Sequence, residues 1–393
     1  MITKSNYESM TLGSVATYIN GRAFKPAEWE TTGLPIIRIQ NLTDENAKCN
    51  YSSSEYEDKY KVHTGDLLFA WSASLGAHIW NRGDAWLNQH IFRVIPNDGI
   101  NKMYLYYFLK KVTVDLYMKT HGSGMVHITK GPFMNTRIYV PPLDEQARIV
   151  ARIEELFSEL DNGVQTLQTI KQQLAVYRQA VLTSQYPEMT AENTVSLDSV
   201  ATIIGGITKG RDLSGADTIE LPYLRVANVQ NGYLDLSEIK TIKLKVSEKE
   251  KYLLKYGDVL YTEGGDRDKL GRGTIWQDEI KDCVHQNHVF KARLDLHRAV
   301  PKYVAYWSMS TPARNYFYSK GKQSVNLASI NKTILSALPL PLPDVQTQNE
   351  IVAHIEERFS VCDSIEKTVD TALAQAEAMR QSILKKAFEG GLV

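Results

Sequence analysis

The chain has 393 residues, 43% hydrophobic and 23% charged, the balance of a globular protein long enough for two or three domains. No apolar run reaches the roughly 18 residues of a membrane span, and Met1 to Asn6 lack the apolar stretch of a secretory signal, so a cytoplasmic protein with no membrane partner is expected. Cys49, Cys283 and Cys362 lie far apart and form no CxxC pair, which argues against a disulfide framework or a zinc site.

The net charge of zero hides a segregation. Residues 1–142 and 187–343 each carry a net +3, whereas residues 143–186 and 344–393 carry −2 and −4. Two basic-leaning globular parts therefore alternate with two acidic connectors. A lean this small is weak evidence for nucleic acid on its own.

The first globular part, 1–142, reads as mixed and strand-rich. Its landmarks are Leu12-Gly13-Ser14-Val15-Ala16-Thr17 followed by Gly21, then Leu34-Pro35-Ile36-Ile37-Arg38-Ile39-Gln40-Asn41. A Gly65-Asp66 turn feeds a strand at Leu67-Leu68-Phe69, Gln89-His90-Ile91-Phe92-Arg93 follows, and a short amphipathic helix is expected over 101–119. Pro141-Pro142-Leu143-Asp144-Glu145-Gln146 then reads as a helix entry, where a missing N–H costs least and Asp144 can cap. In the connector 143–186, Ile153, Leu160, Leu167, Leu174 and Val181 are spaced by seven, with Phe157 and Val164 partly filling the stripe.

The second globular part, 187–343, repeats the first in order. Leu197 to Thr202 and Gly206 answer the opening block, and Leu221-Pro222-Tyr223-Leu224-Arg225-Val226-Ala227-Asn228 answers the second. Gly257-Asp258 leads into Val259-Leu260-Tyr261, Asn287-His288-Val289-Phe290-Lys291 follows, and a short helix is expected over 300–318. The offset drifts from 185 to 199, so insertions fall between matched blocks. Pro341-Leu342-Pro343-Asp344 and Gln348 open the last connector, 344–393, at a constant offset of 202. There Ile355, Cys362, Val369, Ala376 and Ile383 repeat the seven-residue spacing, joined by Phe359 and Leu373. Two such stripes predict a mutual coiled coil, the alternative being two amphipathic helices each packed on its own domain, and about 40 residues at 1.5 Å each give a spacer of roughly 60 Å.

In its repeated "LPIIRIQNL" and "LPYLRVANV", "GDLLFAW" and "GDVLYTE", "NQHIFR" and "QNHVFK", and its two proline-led helix entries, the chain resembles the specificity subunits of type I restriction-modification systems over nearly its whole length. The resemblance implies an α+β fold in which two mixed α/β, strand-rich target recognition domains (1–142 and 187–343) are separated by two long helices (143–186 and 344–393). The helices form an antiparallel coiled coil, and the whole is a pseudo-two-fold internal repeat. It implies that each domain reads half of a split double-stranded DNA target. The coiled coil then sets the gap between half-sites and docks two methyltransferase subunits, joined by restriction motor-nuclease subunits. Half-length members carry one recognition domain and dimerise; this chain has both, so one copy per complex is expected.

No chemistry of its own is legible. There is no Asn-Pro-Pro-aromatic tetrad, FxGxG loop or GxxxxGK[ST] loop, so a non-catalytic chain without cofactors is expected, with S-adenosylmethionine, ATP and Mg on its partners. His90 and His288 match in position, but no Ser, Cys or carboxylate accompanies both. Asp266 with Glu279 and Lys281 is the one array that hints at a metal-dependent nuclease. A coiled-coil adaptor without DNA binding is the other rival.

DNA contacts need polar groups that reach base edges and phosphates from a rigid support. Three regions per half fit. After the LP block stand Arg38, Gln40 and Asn41, and Arg225, Asn228 and Gln230. After the GD block stand Trp71, Ser72 and Ser74, and Glu263, Asp266, Arg267, Lys269 and Arg272. Before each long helix stand His121, Ser123, His127, Thr129 and Lys130, and Lys320, Lys322, Gln323, Asn326, Asn331 and Lys332. Gly122, Gly124 and Gly321 there let backbone approach a phosphate closely.

Overall fold

The repeated blocks become repeated strands. The computed structural model describes residues 7–44, 46–119, 130–265, 269–323 and 328–392. In the first half, Ala16–Asn20 pairs antiparallel with Ile91–Pro96, which pairs with Leu67–Ala70, which pairs with Gly76–Ile79. In the second half Ala201–Gly205, Val289–Leu294, Val259–Thr262 and Gly273–Ile275 take the same order. A second sheet sets Leu34–Ile37 between antiparallel Asn50–Ser52 and parallel Ala85–Leu87. Its counterpart sets Thr218–Leu224 between antiparallel Lys240–Lys245 and parallel Val284–His285. A two-stranded ribbon closes each half: Glu8–Thr11 with Arg137–Val140, and Thr194–Ser196 with Pro339–Pro341.

Two glycine pairs explain why those positions recur. Gly65 and Gly257 turn at φ +91° and +87°, left-handed values that favour glycine before the buried strands. At Gly21 and Gly206 a Cβ would sit 2.0 Å from the carbonyl oxygen of Asn88 and 2.1 Å from that of His285, so only glycine lets these backbones meet.

The chain divides into two compact units, Met1–Leu167 with Asp370–Val393, and Gln168–Val369. Each holds one strand-rich domain and a stretch of both long helices, Leu143–Ser184 and Val345–Glu389. In the first unit Leu12, Phe69, Leu105 and Ile138 are fully buried with Ile153, and Leu384 and Phe388 complete the same core. In the second, Leu197, Val259, Tyr303 and Leu340 are buried with Val181, Leu182 and Ile355.

Within each unit the helix stretches run in opposite directions. Ile153 shares a core with Phe388, and Asp161 further along pairs with Arg380. In the other unit Arg178 pairs with Asp363 and Glu366, and Val181 and Leu182 share a core with Ile355. The seven-spaced positions face inward. Ile153, Leu174, Val181, Ile355, Cys362, Val369 and Ala376 are buried; Leu160, Leu167 and Ile383 are half-buried.

The helix entries differ in one respect from expectation. Asp344 caps the second helix, accepting from the Thr347 N–H at 2.9 Å and its hydroxyl at 3.0 Å. These bonds hold its carboxyl below the usual range. The first helix begins at Leu143, so Asp144 lies inside the first turn rather than at the cap. There its charge faces the positive end of the helix dipole instead.

One buried glutamine locks each entry. Gln146 Oε1 accepts from the Asn101 N–H at 2.8 Å, while Nε2 donates to the carbonyls of Gly99 at 2.9 Å and Pro141 at 2.8 Å. Gln348 makes the same three bonds, to the Val300 N–H and the carbonyls of Arg298 and Pro343, each at 2.8 Å. Both side chains join the short helix of the domain to the start of the long helix, with no exposure to solvent.

Candidate nucleic-acid interface

The region after each LP block is shaped by an asparagine. Asn41 Oδ1 accepts from the Arg38 N–H at 3.0 Å and its Nδ2 donates to the Ala47 carbonyl at 3.1 Å. Asn228 repeats this with the Arg225 N–H at 2.9 Å and the Asp235 and Glu238 carbonyls at 2.8 and 3.1 Å. Both are buried, at 0% and 2% exposure. This corrects the expectation that they touch DNA: their amides are spent on the loop backbone and present nothing to a base. Their arginine neighbours are half-buried. Arg38 lies over the Trp29 ring at 5.6 Å, and Gln40 is exposed. Arg225 donates to the Glu238 carbonyl at 2.9 Å and its carboxylate at 3.0 Å, and this bond holds Glu238 below the usual carboxylate range.

The region after each GD block carries different chemistry in the two halves. At the strand end, Trp71 is half-buried; its ring stands 4.9 Å from His90 and stacks on Phe92 at 5.8 Å, and its Nε1–H donates to Asn20 at 3.2 Å. At the matching position, Glu263 Oε2 stands 2.6 Å from His288 Nδ1. The two histidines keep their place while an aromatic partner in one half becomes a carboxylate in the other. Ser74 is exposed, but Ser72 is buried at 4% exposure, which corrects its assignment as a contact.

In the second half the three regions are knitted together. Arg272 Nη1 donates to Gln230 Oε1 at 2.8 Å, joining the first to the second. Gly264–Gly265 pairs with Ala328–Ser329, which pairs with Lys322–Gln323, and the Ile330 N–H donates to the Glu263 carbonyl at 2.8 Å. Lys320, Lys322 and Lys332 are exposed around this ribbon and Lys269 is half-buried. Asn331 is also exposed, but its side chain caps a short helix by accepting from the Ile334 N–H at 2.9 Å. In the first half Arg82 reaches back from the second region to the Asn41 carbonyl and lies over Trp80 at 4.5 Å.

The candidates His121, Ser123, His127, Thr129, Asp266, Arg267 and Asn326 lie outside the described residues, as do the side chains of Lys130 and Gln323. A basic feature was missed. Lys240, Lys243 and Lys245 are exposed along an edge strand, where Ile242 and Leu244 point into the core. The alternation over Thr-Ile-Lys-Leu-Lys, which sets Lys243 and Lys245 on the face opposite Ile242 and Leu244, was its signal. Among the described residues no group of three or more His, Cys, Asp or Glu is placed to share a metal ion, and no helix is long and apolar enough to cross a membrane.

Two domains of one frame, each with its own polar loops and each set on a shared helix pair, define a class. The model of the type I restriction modification DNA specificity domain matches residues 4–173 and 191–375, and the chain belongs to that family, the specificity subunits of type I restriction-modification systems. Over 98% of its length it is 28% identical to the EcoBI specificity subunit of Escherichia coli, covering 85% of that protein. Over 97% it is 29% identical to the EcoKI specificity subunit of Escherichia coli (strain K12), covering 88% of it. In fold it is similar to a chain solved in work on complex assembly and conformational transition of the type I R-M system, with a TM-score of 0.71, 18% identity and full coverage of both chains. The HsdS subunit from Thermoanaerobacter tengcongensis follows at a TM-score of 0.51 and 18% identity, with 100% of this chain and 99% of that one covered.

Proposed function

We propose that this subunit reads a split double-stranded DNA target, one half-site per strand-rich domain, and carries no catalytic step itself. The observation that supports this best is the repeated frame with unlike loops. The asparagine, glutamine and glycine supports recur in both halves, while the side chains they hold up differ, with Trp71 in one place and Glu263 in the other. A carboxylate and an indole offer a base edge different partners, so the halves read different sequences. The helix pair sets the number of unread base pairs between half-sites and docks two methyltransferase subunits and the restriction subunits, with one copy of this chain per cytoplasmic complex. S-adenosylmethionine, ATP and Mg belong to those partners.

Sequencing the methylated bases of a host that carries this chain with its methyltransferase partner tests the reading. A split motif with two unlike halves and a fixed gap is expected, and no methylation by the purified chain alone. A continuous motif, or methyl transfer by the chain alone, overturns it.

A further inference from the structure

Phe157, Asp161 and Arg178 on the first long helix correspond to Phe359, Asp363 and Arg380 on the second, at the constant offset of 202. Arg178 Nη2 donates to Asp363 Oδ1 at 2.7 Å and Glu366 Oε2 at 3.2 Å, and its guanidinium lies 5.2 Å from the centre of the Phe359 ring. In the other unit Arg380 pairs with Asp161 and lies 5.2 Å from the centre of the Phe157 ring. Each arginine thus sits between a ring and a carboxylate, one helical turn apart on the opposing helix. Each ring also meets its own domain edge-on: Phe157 against Tyr107 and Phe359 against Tyr306, both at 5.8 Å. The arginine side chains are mostly covered, at 23% and 27% exposure.

Along the seam itself a seven-residue repeat discriminates poorly against slippage, because a shift of one heptad still brings apolar to apolar; Leu384 and Phe388 in one core and Ile355 in the other oppose a slip only from the helix ends. The arginine sites do discriminate. Shifted by seven in one sense, Arg178 would face Glu366 and Asp370, and Arg380 would face Val164 and Gln168. Shifted in the other, Arg178 would face Val352 and Glu356, and Arg380 would face Val150 and Glu154. Of the three registers, the observed one alone gives both arginines a ring and an aspartate.

We propose that Arg178 and Arg380 are spacing-determining residues: they lock the register of the helix pair and thereby narrow the gap between half-sites that the complex accepts. This rests on the helices acting as the ruler. Neither residue contacts DNA on this reading; both act by position.

The test uses the complex reconstituted with its methyltransferase and a DNA library of variable gap. Wild type should methylate one gap length strongly. In R178L/R380L, methylation of gaps about three base pairs longer or shorter, the length that a seven-residue slip of roughly 10 Å spans, should rise about tenfold relative to the preferred gap, from two lost ion-pair and cation–π sites. The bases read in each half-site should not change. R178K/R380K keeps both charges but loses the flat stacking surface, so it should fall between. It carries the test if the leucine pair does not assemble. A chain with four residues inserted after Ser184 serves as the control for the ruler. If the insertion moves the preferred gap and the arginine variants leave the profile unchanged, the locks are overturned. If the insertion also leaves the gap unchanged, the ruler reading falls and the locks with it.

Discussion

Single side chains set the tolerance of each domain to its surroundings. His285 is fully buried, and burial pushes its pKa down to about 4, with lesser influences from its bond to the Val289 carbonyl and from Lys291, Asp258 and Arg293. Unfolded, it titrates near the ordinary histidine value of 6.5. The depressed value means that the neutral ring is the folded form. Its contribution is complete above pH 6.5 and is lost as pH falls from there toward 4, a loss of about 3 kcal/mol when complete. His285→Leu, which copies Leu87 at the matching place in the other half, should flatten that part of the pH–stability curve. Urea melts at pH 7 and pH 5 measure it; an unchanged difference between the two would count against His285 as the titrating group. Gln348 poses a harsher demand. Gln348→Ala leaves the Val300 N–H and two carbonyls buried without a partner, and should cost about 3 kcal/mol or more. The same denaturant melts read it, with the exposed Gln346 as a control for replacing a glutamine in the same turn.

The long helices were the elements most legible in the sequence, because five apolar residues in strict heptad spacing admit few other folds. The inward face of Ile153, Ile355 and Val369 follows from that spacing alone. The repeated blocks likewise foretold that the two halves share their elements in the same chain order, since Gly21, Gly65 and their counterparts are required by backbone geometry rather than by side-chain packing. The interface was less legible. Asn41 and Asn228 are polar loop residues of the kind that reads bases, and nothing local distinguishes an amide that faces solvent from one that ties its own loop. Ser72 was obscure for the same reason. The edge-strand lysines were obscure because a charged residue alternating with apolar ones is the ordinary pattern of any half-buried strand, whatever its solvent face binds. At this scale, Ile355→Ala should cost about 2–5 kcal/mol. Val361→Ala, on the same helix but 55% exposed, should stay within roughly 0.5 kcal/mol of wild type. Equal effects from the two in thermal melts would contradict the seam.

For the whole molecule, the ruler is the property to test. Four residues inserted after Ser184 add about 6 Å and turn the helix end roughly 40° beyond a full turn. Adjacent base pairs are about 3.4 Å apart and turn by roughly 34°. The rotation fits one added base pair, and tilt between helices and DNA shortens the projected length toward the same value. The insertion mutant should therefore prefer a gap one base pair longer with both half-site sequences intact, as scored on a methylated library. Independently, replacing residues 187–343 with those of a relative should change one half-site only.

The helix pairing also has a consequence in time. Leu384, Ala387 and Phe388 fill the core of the unit that begins the chain, with Phe388 against Tyr104 at 5.1 Å and Phe108 at 5.2 Å. A domain usually folds as it leaves the ribosome, N-terminal part first. Here the first domain's core lacks Leu384, Ala387 and Phe388 until more than 200 further residues have been made. The second unit, Gln168–Val369, is one unbroken stretch and can close before the first is finished. Birth order and completion order are thus reversed. During the wait the unfilled site beside Tyr104 and Phe108 is the apolar surface that a chaperone, or a neighbouring nascent chain, would meet first.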